Sequence, residues 1–152
     1  MNKQNIILEQ IDRKVKQLGK IETITIPPSG WIFAIRQALG MSLRQLGNRM
    51  GITSQSVKEM EEREKKGTIS LNVLRKFGKS MDMKFIYGFI PKQKSLEKLV
   101  EERAVRLAEE IVKRTSVNME LEDQKIGLKL IQKAIREKTL EIKQEMPKYL
   151  WD

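Results

Sequence analysis

Between Leu43 and Met60 the chain reads LRQLGNRMGITSQSVKEM, and the spacing of its apolar and small residues leaves few ways to fold. Leu46, Met50, Ile52, Val57 and Met60 are apolar, with glycines at Gly47 and Gly51. Two short helices crossing about a tight turn satisfy that set. Gly51 takes the left-handed conformation that ends the first helix. Gly47 admits the second helix without a side-chain clash, and Thr53 caps that helix through its hydroxyl. A helix-turn-helix unit of this kind presents its second helix to the DNA major groove.

The flanks extend the pattern into a mainly α chain of 152 residues. Over residues 4–18, Ile7, Ile11, Val15 and Leu18 share one face with Leu8 beside it, predicting an amphipathic helix closed by Gly19. The alternating stretch Glu22–Ile26 predicts a short strand, and Pro27, Pro28, Ser29 and Gly30 break the chain. Trp31, Ile32, Ile35 and Leu39 predict a helix ending at Gly40. The two motif helices follow, capped by Ser42 and Thr53. Lys65, Lys66 and Gly67 are expected in a loop. Ser70 then caps a helix with Leu71, Leu74, Phe77 and Met81 inward. Ile35, Leu46, Val57 and Leu74 are the expected core.

The run MKFIYGFIP predicts a second strand over Lys84–Ile90, which pairs with 22–26 because the backbone groups of both need partners. The alternative is pairing with its copy in a second subunit. Residues 95–144 predict two long antiparallel helices that separate near Ser116–Leu121. One carries Leu96, Leu99, Val100, Leu107 and Ile111; the other carries Ile126, Leu130, Ile131, Ile135 and Ile142. Tyr149 and Trp151 are expected to dock. The expected organisation is an N-terminal helix and strand over 1–30, the helix-turn-helix domain over 31–83, a strand at 84–91, and a helical region for dimerisation or partner binding over 92–152.

Composition narrows the chemistry. The chain has neither cysteine nor histidine, which removes thiol nucleophiles, imidazole bases, thiolate zinc sites and most transition-metal sites. No apolar run approaches eighteen residues and no signal peptide opens the sequence, so a cytoplasmic, non-membrane protein is expected. The net charge of +10 is uneven. Residues 31–91 hold eleven Lys/Arg against five Asp/Glu, while the segments on either side are each close to balance. Concentrated positive charge favours a polyanion partner. The carboxylate pairs of 97–145 lie at helical spacing among lysines and are expected as solvated faces. No enzymatic activity and no cofactor or metal are expected. The eight methionines are expected as core filling.

With Val57 and Met60 inward, the second motif helix presents Ser54, Gln55, Lys58, Glu59 and Glu62 outward. Gln55 is suited to a bidentate pair with adenine, and Ser54 to a single hydrogen bond with either base type. Lys58 reaches guanine or phosphate, and Glu59 is suited to accept from cytosine N4. Thr53, Arg44, Arg49, Lys65 and Lys66 are the expected phosphate contacts, with Arg36 a further candidate. The acids Glu59, Glu61, Glu62 and Glu64 oppose DNA binding unless they point away or pair with Arg63, Lys65 and Lys66.

The stretch GWIFAIRQALGMSLRQLGNRMGITSQSVKEMEE resembles the Cro/repressor-type (Xre) helix-turn-helix family. The wider pattern resembles the family called mobile mystery protein A. It comprises Pro28-x-Gly30-Trp31-Ile32, Ala34-Ile-Arg-x-Ala-Leu-Gly-Met41, Gly67-Thr-Ile-x-Leu71, a strand ending in Pro91, Leu121-Glu-Asp-Gln124 and a terminal Leu-Trp-Asp152. The expected fold is thus mainly α: a Cro/repressor-like helix-turn-helix domain with a short two-stranded β element and a C-terminal pair of long helices. The resemblance further implies a DNA-binding regulator from mobile-element neighbourhoods with a Fic-domain partner encoded beside it, hence an antitoxin-like or autoregulatory role. A double-stranded DNA-binding helix-turn-helix regulator is in turn expected to act as a homodimer on a palindromic operator. The chain departs from the broader family at Leu43, where a phosphate-contacting glutamine is common, and at Gly47, where alanine is common. Ser116-Val-Asn-Met-Glu120 matches five positions of an inhibitory motif that restrains Fic proteins, with Leu121 in place of its Gly or Asn.

Overall fold

The computed structural model describes residues 2–116 and 124–152. They form seven α-helices and a terminal 3-10 turn, with no strand among the described residues. The chain divides into two compact units: residues 23–87, and residues 1–22 together with 88–152.

The 23–87 unit holds α2 (Trp31–Ala38), α3 (Leu43–Met50), α4 (Ser54–Lys66) and α5 (Leu71–Ser80). Each of the last three starts at a hydroxyl cap. Ser42 and Gln45 form a reciprocal capping box, Thr53 accepts from the Ser56 amide, and Ser70 from the Val73 amide. Leu46, Val57 and Phe77 are completely buried and pack with Ile32 and Met81, ringed by Ile35, Met41, Met50, Ile52, Met60 and Leu74. Burying side chains of this size contributes about 1.5–3 kcal/mol each. Gly51 ends α3 at φ 68°, and the Ile52 amide turns back to the Gly47 carbonyl at 2.9 Å.

The other unit is built from α1 (Lys3–Gly19), α6 (Leu96–Ser116), α7 (Gln124–Glu145) and the turn Lys148–Trp151. Val100, Ala104 and Ala108 of α6 are buried against Ile142, near the end of α7, and against Leu150. The end of α7 thus meets the start of α6, and the alanines let the antiparallel pair approach closely. Asn2 caps α1 with its oxygen while its amide group donates to the Glu145 carbonyl at 3.1 Å. Asn5 donates to the Gln144 carbonyl at 3.2 Å, so the start of α1 closes the open end of α7. Asp12, 4% exposed, accepts the Leu96 amide at 2.6 Å and caps α6 from a neighbouring helix.

Several expectations are corrected here. The two-stranded β element is absent: 22–26 and 84–90 are irregular. The Glu22 amide closes a turn on Gly19, and Pro27 and Pro28 have no amide hydrogen to give. The backbone of 83–85 runs over Gly78 of α5, with the Met83 amide bonded to the Gly78 carbonyl at 2.8 Å. Arg75 lies on the Tyr87 ring, which stacks with Phe85. A two-stranded ribbon with no further cover is marginal in water, and these local contacts prevail. Ile26 and Phe89 are consequently 68% and 87% exposed.

Lys65 and Lys66 complete the last turn of α4 rather than a loop. Leu71 is exposed and Val73 packs inward instead. On α1, Ile7 and Ile11 are exposed because the helix turns Leu8 and Asp12 inward. Leu150 docks, whereas Tyr149 and Trp151 stay about half exposed. Leu130 is exposed. The Ile126 side chain, the Ser116–Glu120 motif and the Leu121–Gln124 motif fall on or run into residues outside those described.

Two outcomes follow from these contacts. Alanine at position 47 gains about 1 kcal/mol of helix propensity, but its Cβ would stand 2.6 Å from the Ile52 carbonyl oxygen. Gly47→Ala is therefore expected to lower stability in urea unfolding by about 1–3 kcal/mol; a stabilised variant contradicts that packing. For Asp12, burial raises the carboxyl's pKa, but the Leu96 amide, the Lys16 ammonium and the Glu97 amide together outweigh it and hold it below the ordinary value. A depressed carboxylate stabilises the fold fully above its unfolded pKa, about 4, and loses that contribution as pH falls through the lower folded value. Asp12→Asn should therefore destabilise the protein at pH 7, with the gap to wild type closing below about pH 4. A gap independent of pH in thermal melts would argue against the charged cap.

Candidate nucleic-acid interface

The turn Gly51–Ile52–Thr53 delivers α4 with one face committed to the core. Val57 is fully buried, Met60 packs beside it, Glu61 is buried and Glu64 half-buried. The opposite face is exposed along its whole length. Ser54 and Gln55 occupy the first turn, and Gln55, Lys58, Glu59, Glu62, Arg63 and Lys66 line one shallow depression. The amide and ammonium groups expected to read bases therefore share one continuous stripe, with Ser54 at its start.

The acidic run divides by face. Glu61 forms a buried ion pair with Arg36 of α2, with Nε–Oε1 at 2.5 Å, Nη2–Oε2 at 3.2 Å and side chains 7% and 11% exposed. The remaining Arg36 nitrogen donates to the Met41 carbonyl at 2.9 Å, and the guanidinium lies over the Phe33 ring. Removing one partner of such a pair strands a buried charge, a loss of about 3–5 kcal/mol. Glu64 accepts the Trp31 and Ile32 amides at 3.0 and 2.8 Å. Two of the four acids thus point inward, where they hold α2 instead of facing a polyanion. Glu59 and Glu62 remain on the exposed stripe.

The expected phosphate contacts separate in the same way. Arg44 is exposed in the first turn of α3, and Lys65 and Lys66 are exposed at the end of α4. Arg36 is withdrawn into its ion pair. Arg49 donates to the Ser80 carbonyl at 2.9 Å and lies 3.8 Å from Asp82, tying α3 to the end of α5. The Thr53 hydroxyl accepts the Ser56 amide at 3.1 Å and donates to the Ser56 hydroxyl at 2.9 Å, so its proton is engaged within the cap.

Two groups of exposed cations were missed at the level of sequence. Arg63 belongs to the α4 stripe. Arg75, Lys76 and Lys79 form with Asn72 an exposed row on α5, visible in the sequence as i, i+3, i+4 and i+7 spacing. Residues 23–87 hold the same eleven cations and five acids counted above. With Arg36 and Glu61 paired internally and Glu64 on helix amides, the exposed surface of the unit is strongly positive.

In the other unit, α1, α6 and α7 border a groove where Asp12 pairs with Lys16 at 3.1 Å. Asp12 is committed to the start of α6 and to Lys16. Among the described residues, no group of three or more histidine, cysteine or acidic side chains is arranged to hold a metal ion. No helix among them is long and apolar enough to cross a membrane. No family profile, curated protein or solved structure matches this chain.

Proposed function

We propose that this chain is a sequence-specific double-stranded DNA-binding regulator, of the kind its resemblance to Xre-type and mobile mystery protein A sequences implies. The observation that carries the reading is the exposed α4 stripe, which places Gln55 and Lys58 on a positive unit directly after a capped tight turn. In this reading α4 enters the major groove. Gln55 pairs with adenine N6 and N7, Ser54 and Lys58 add further base contacts, and Glu59 accepts from cytosine N4. Arg44, Lys65 and Lys66 bind phosphates and set the register.

The protein acts in the cytoplasm as a homodimer on a palindromic operator, with half-sites about one helical turn apart. The α1, α6 and α7 unit supplies the dimer contact. A second reading gives that unit to a Fic-domain partner restrained by this chain, with DNA binding serving autoregulation. The exposed apolar side chains Ile7, Ile11, Leu128 and Leu130 support either use, and co-purification with such a partner separates the two.

The test is selection of bound duplexes from a random pool at physiological salt. A single enriched site with two-fold symmetry is expected for the wild type, and Gln55→Ala should relax preference at one position per half-site. Losing one bidentate pair corresponds to about 1–3 kcal/mol of discrimination. Lys66→Ala should instead weaken all sequences alike and reduce the salt slope by about 1. Unaltered selection by the Gln55 variant would remove the reading face from α4, and a wild type that enriches nothing would defeat the DNA-binding role itself.

A further inference from the structure

We infer that Glu64 is a positioning residue for DNA reading: its carboxylate, seated on the first amides of α2, fixes the pose of the α4 stripe. The inference rests on the DNA-binding role proposed above. The start of a helix offers unpaired amides and partial positive charge, usually met by a Ser, Thr, Asp or Asn side chain at the N-cap. At α2 the N-cap is Gly30, which has no side chain to give. Both oxygens of Glu64 take that place, one on Trp31 and the other on Ile32.

The seat depends on the glycine. Gly30 has φ 87°, and a Cβ built there would stand 2.7 Å from Oε1 of Glu64. A side chain at position 30 and the carboxylate of Glu64 thus compete for the same space. The sequence leaves α2 uncapped locally and supplies the cap from the helix whose other face is exposed.

The apolar grip on α4 is concentrated near its start. Val57 is the one fully buried apolar side chain of the helix, with Met60 packed beside it. Glu61 and Glu64 continue that inner face toward the C-terminal end, each bonded to α2. Glu64 lies seven residues beyond Val57, about 10 Å along the axis, where a contact resists tilting about the apolar pivot most effectively. Inner positions 57, 60, 61 and 64 fix by helical geometry where outer positions 55, 58, 59 and 62 stand.

A purely electrostatic role for Glu64 makes the opposite prediction, because removing a carboxylate near phosphates tightens binding to any duplex. The experiment measures affinity for the selected operator and for random duplex of equal length at one salt concentration, using the full chain. Wild-type preference for the operator is the first arm, and its absence would reject the DNA role rather than this inference. Given that preference, Glu64→Ala is expected to cut it about tenfold, the size of one lost base contact, while random-duplex affinity holds or rises. Glu62→Ala, which removes an exposed acid of the stripe, should tighten random-duplex binding without Glu64's loss of preference. Glu64→Gln retains one oxygen acceptor and should fall between wild type and Glu64→Ala. If Glu64→Ala fails to fold in thermal melts, Glu64→Gln alone carries the test. An unchanged preference in whichever variant is folded overturns the inference.

Discussion

In each unit a carboxylate from one helix is seated on the opening amides of another. Glu64 holds the start of α2, and Asp12 holds the start of α6. A helix end presents hydrogen-bond donors that water would otherwise satisfy, so an arriving carboxylate must align with a particular terminus. Apolar contact alone is less directional. In α4, whose outer face is entirely polar, the combination of one buried valine, one buried ion pair and one carboxylate cap selects a single rotation of the helix.

That arrangement changes the meaning of the acidic run at 59–64. Counted along the sequence, four carboxylates in six residues oppose a polyanion. In the folded chain Glu61 neutralises Arg36 and Glu64 meets helix amides, leaving two acids beside Lys58, Arg63 and Lys66. The withdrawal of Arg36 also carries a cost, since it subtracts one cation from the surface. Arg49, tied to Ser80 and Asp82, is likewise occupied in joining α3 to α5. The exposed cationic surface is therefore smaller than the cation count suggests, and the part that the proposed DNA-binding role draws on lies along α4 with Arg44 at the start of α3.

Local chemistry made much of the 31–83 region legible. Ser42, Thr53 and Ser70 are caps because hydroxyls bond nearby amides, and Gly51 stops α3 at a positive φ. Those signals need only a few adjacent residues. The two strands were misread because alternation in Glu22–Ile26 and Lys84–Ile90 indicates what a strand would need, while pairing depends on a partner that the fold does not supply. Asp12 and Glu64 were illegible for the complementary reason. Their partners, Leu96 and Trp31, lie 84 and 33 residues away, and nothing within a helical turn of either acid marks it as a cap. The outer stripe at Gln55, Lys58 and Glu59 was readable once Val57 and Met60 defined the inner face. Arg63 on that stripe reads from sequence only as a partner for the acids around it.

The most direct test of the central claim asks whether base edges in the major groove are touched at all. Replacing purines of the bound site one at a time with 7-deaza analogues removes the N7 acceptor while preserving base pairing and the phosphate backbone. If Gln55 and its neighbours on α4 read the groove, affinity should fall at a few purines in each half-site, by about 1 kcal/mol where one of the two hydrogen bonds of a bidentate contact is lost. Full affinity at every substituted position would place recognition elsewhere and contradict the account.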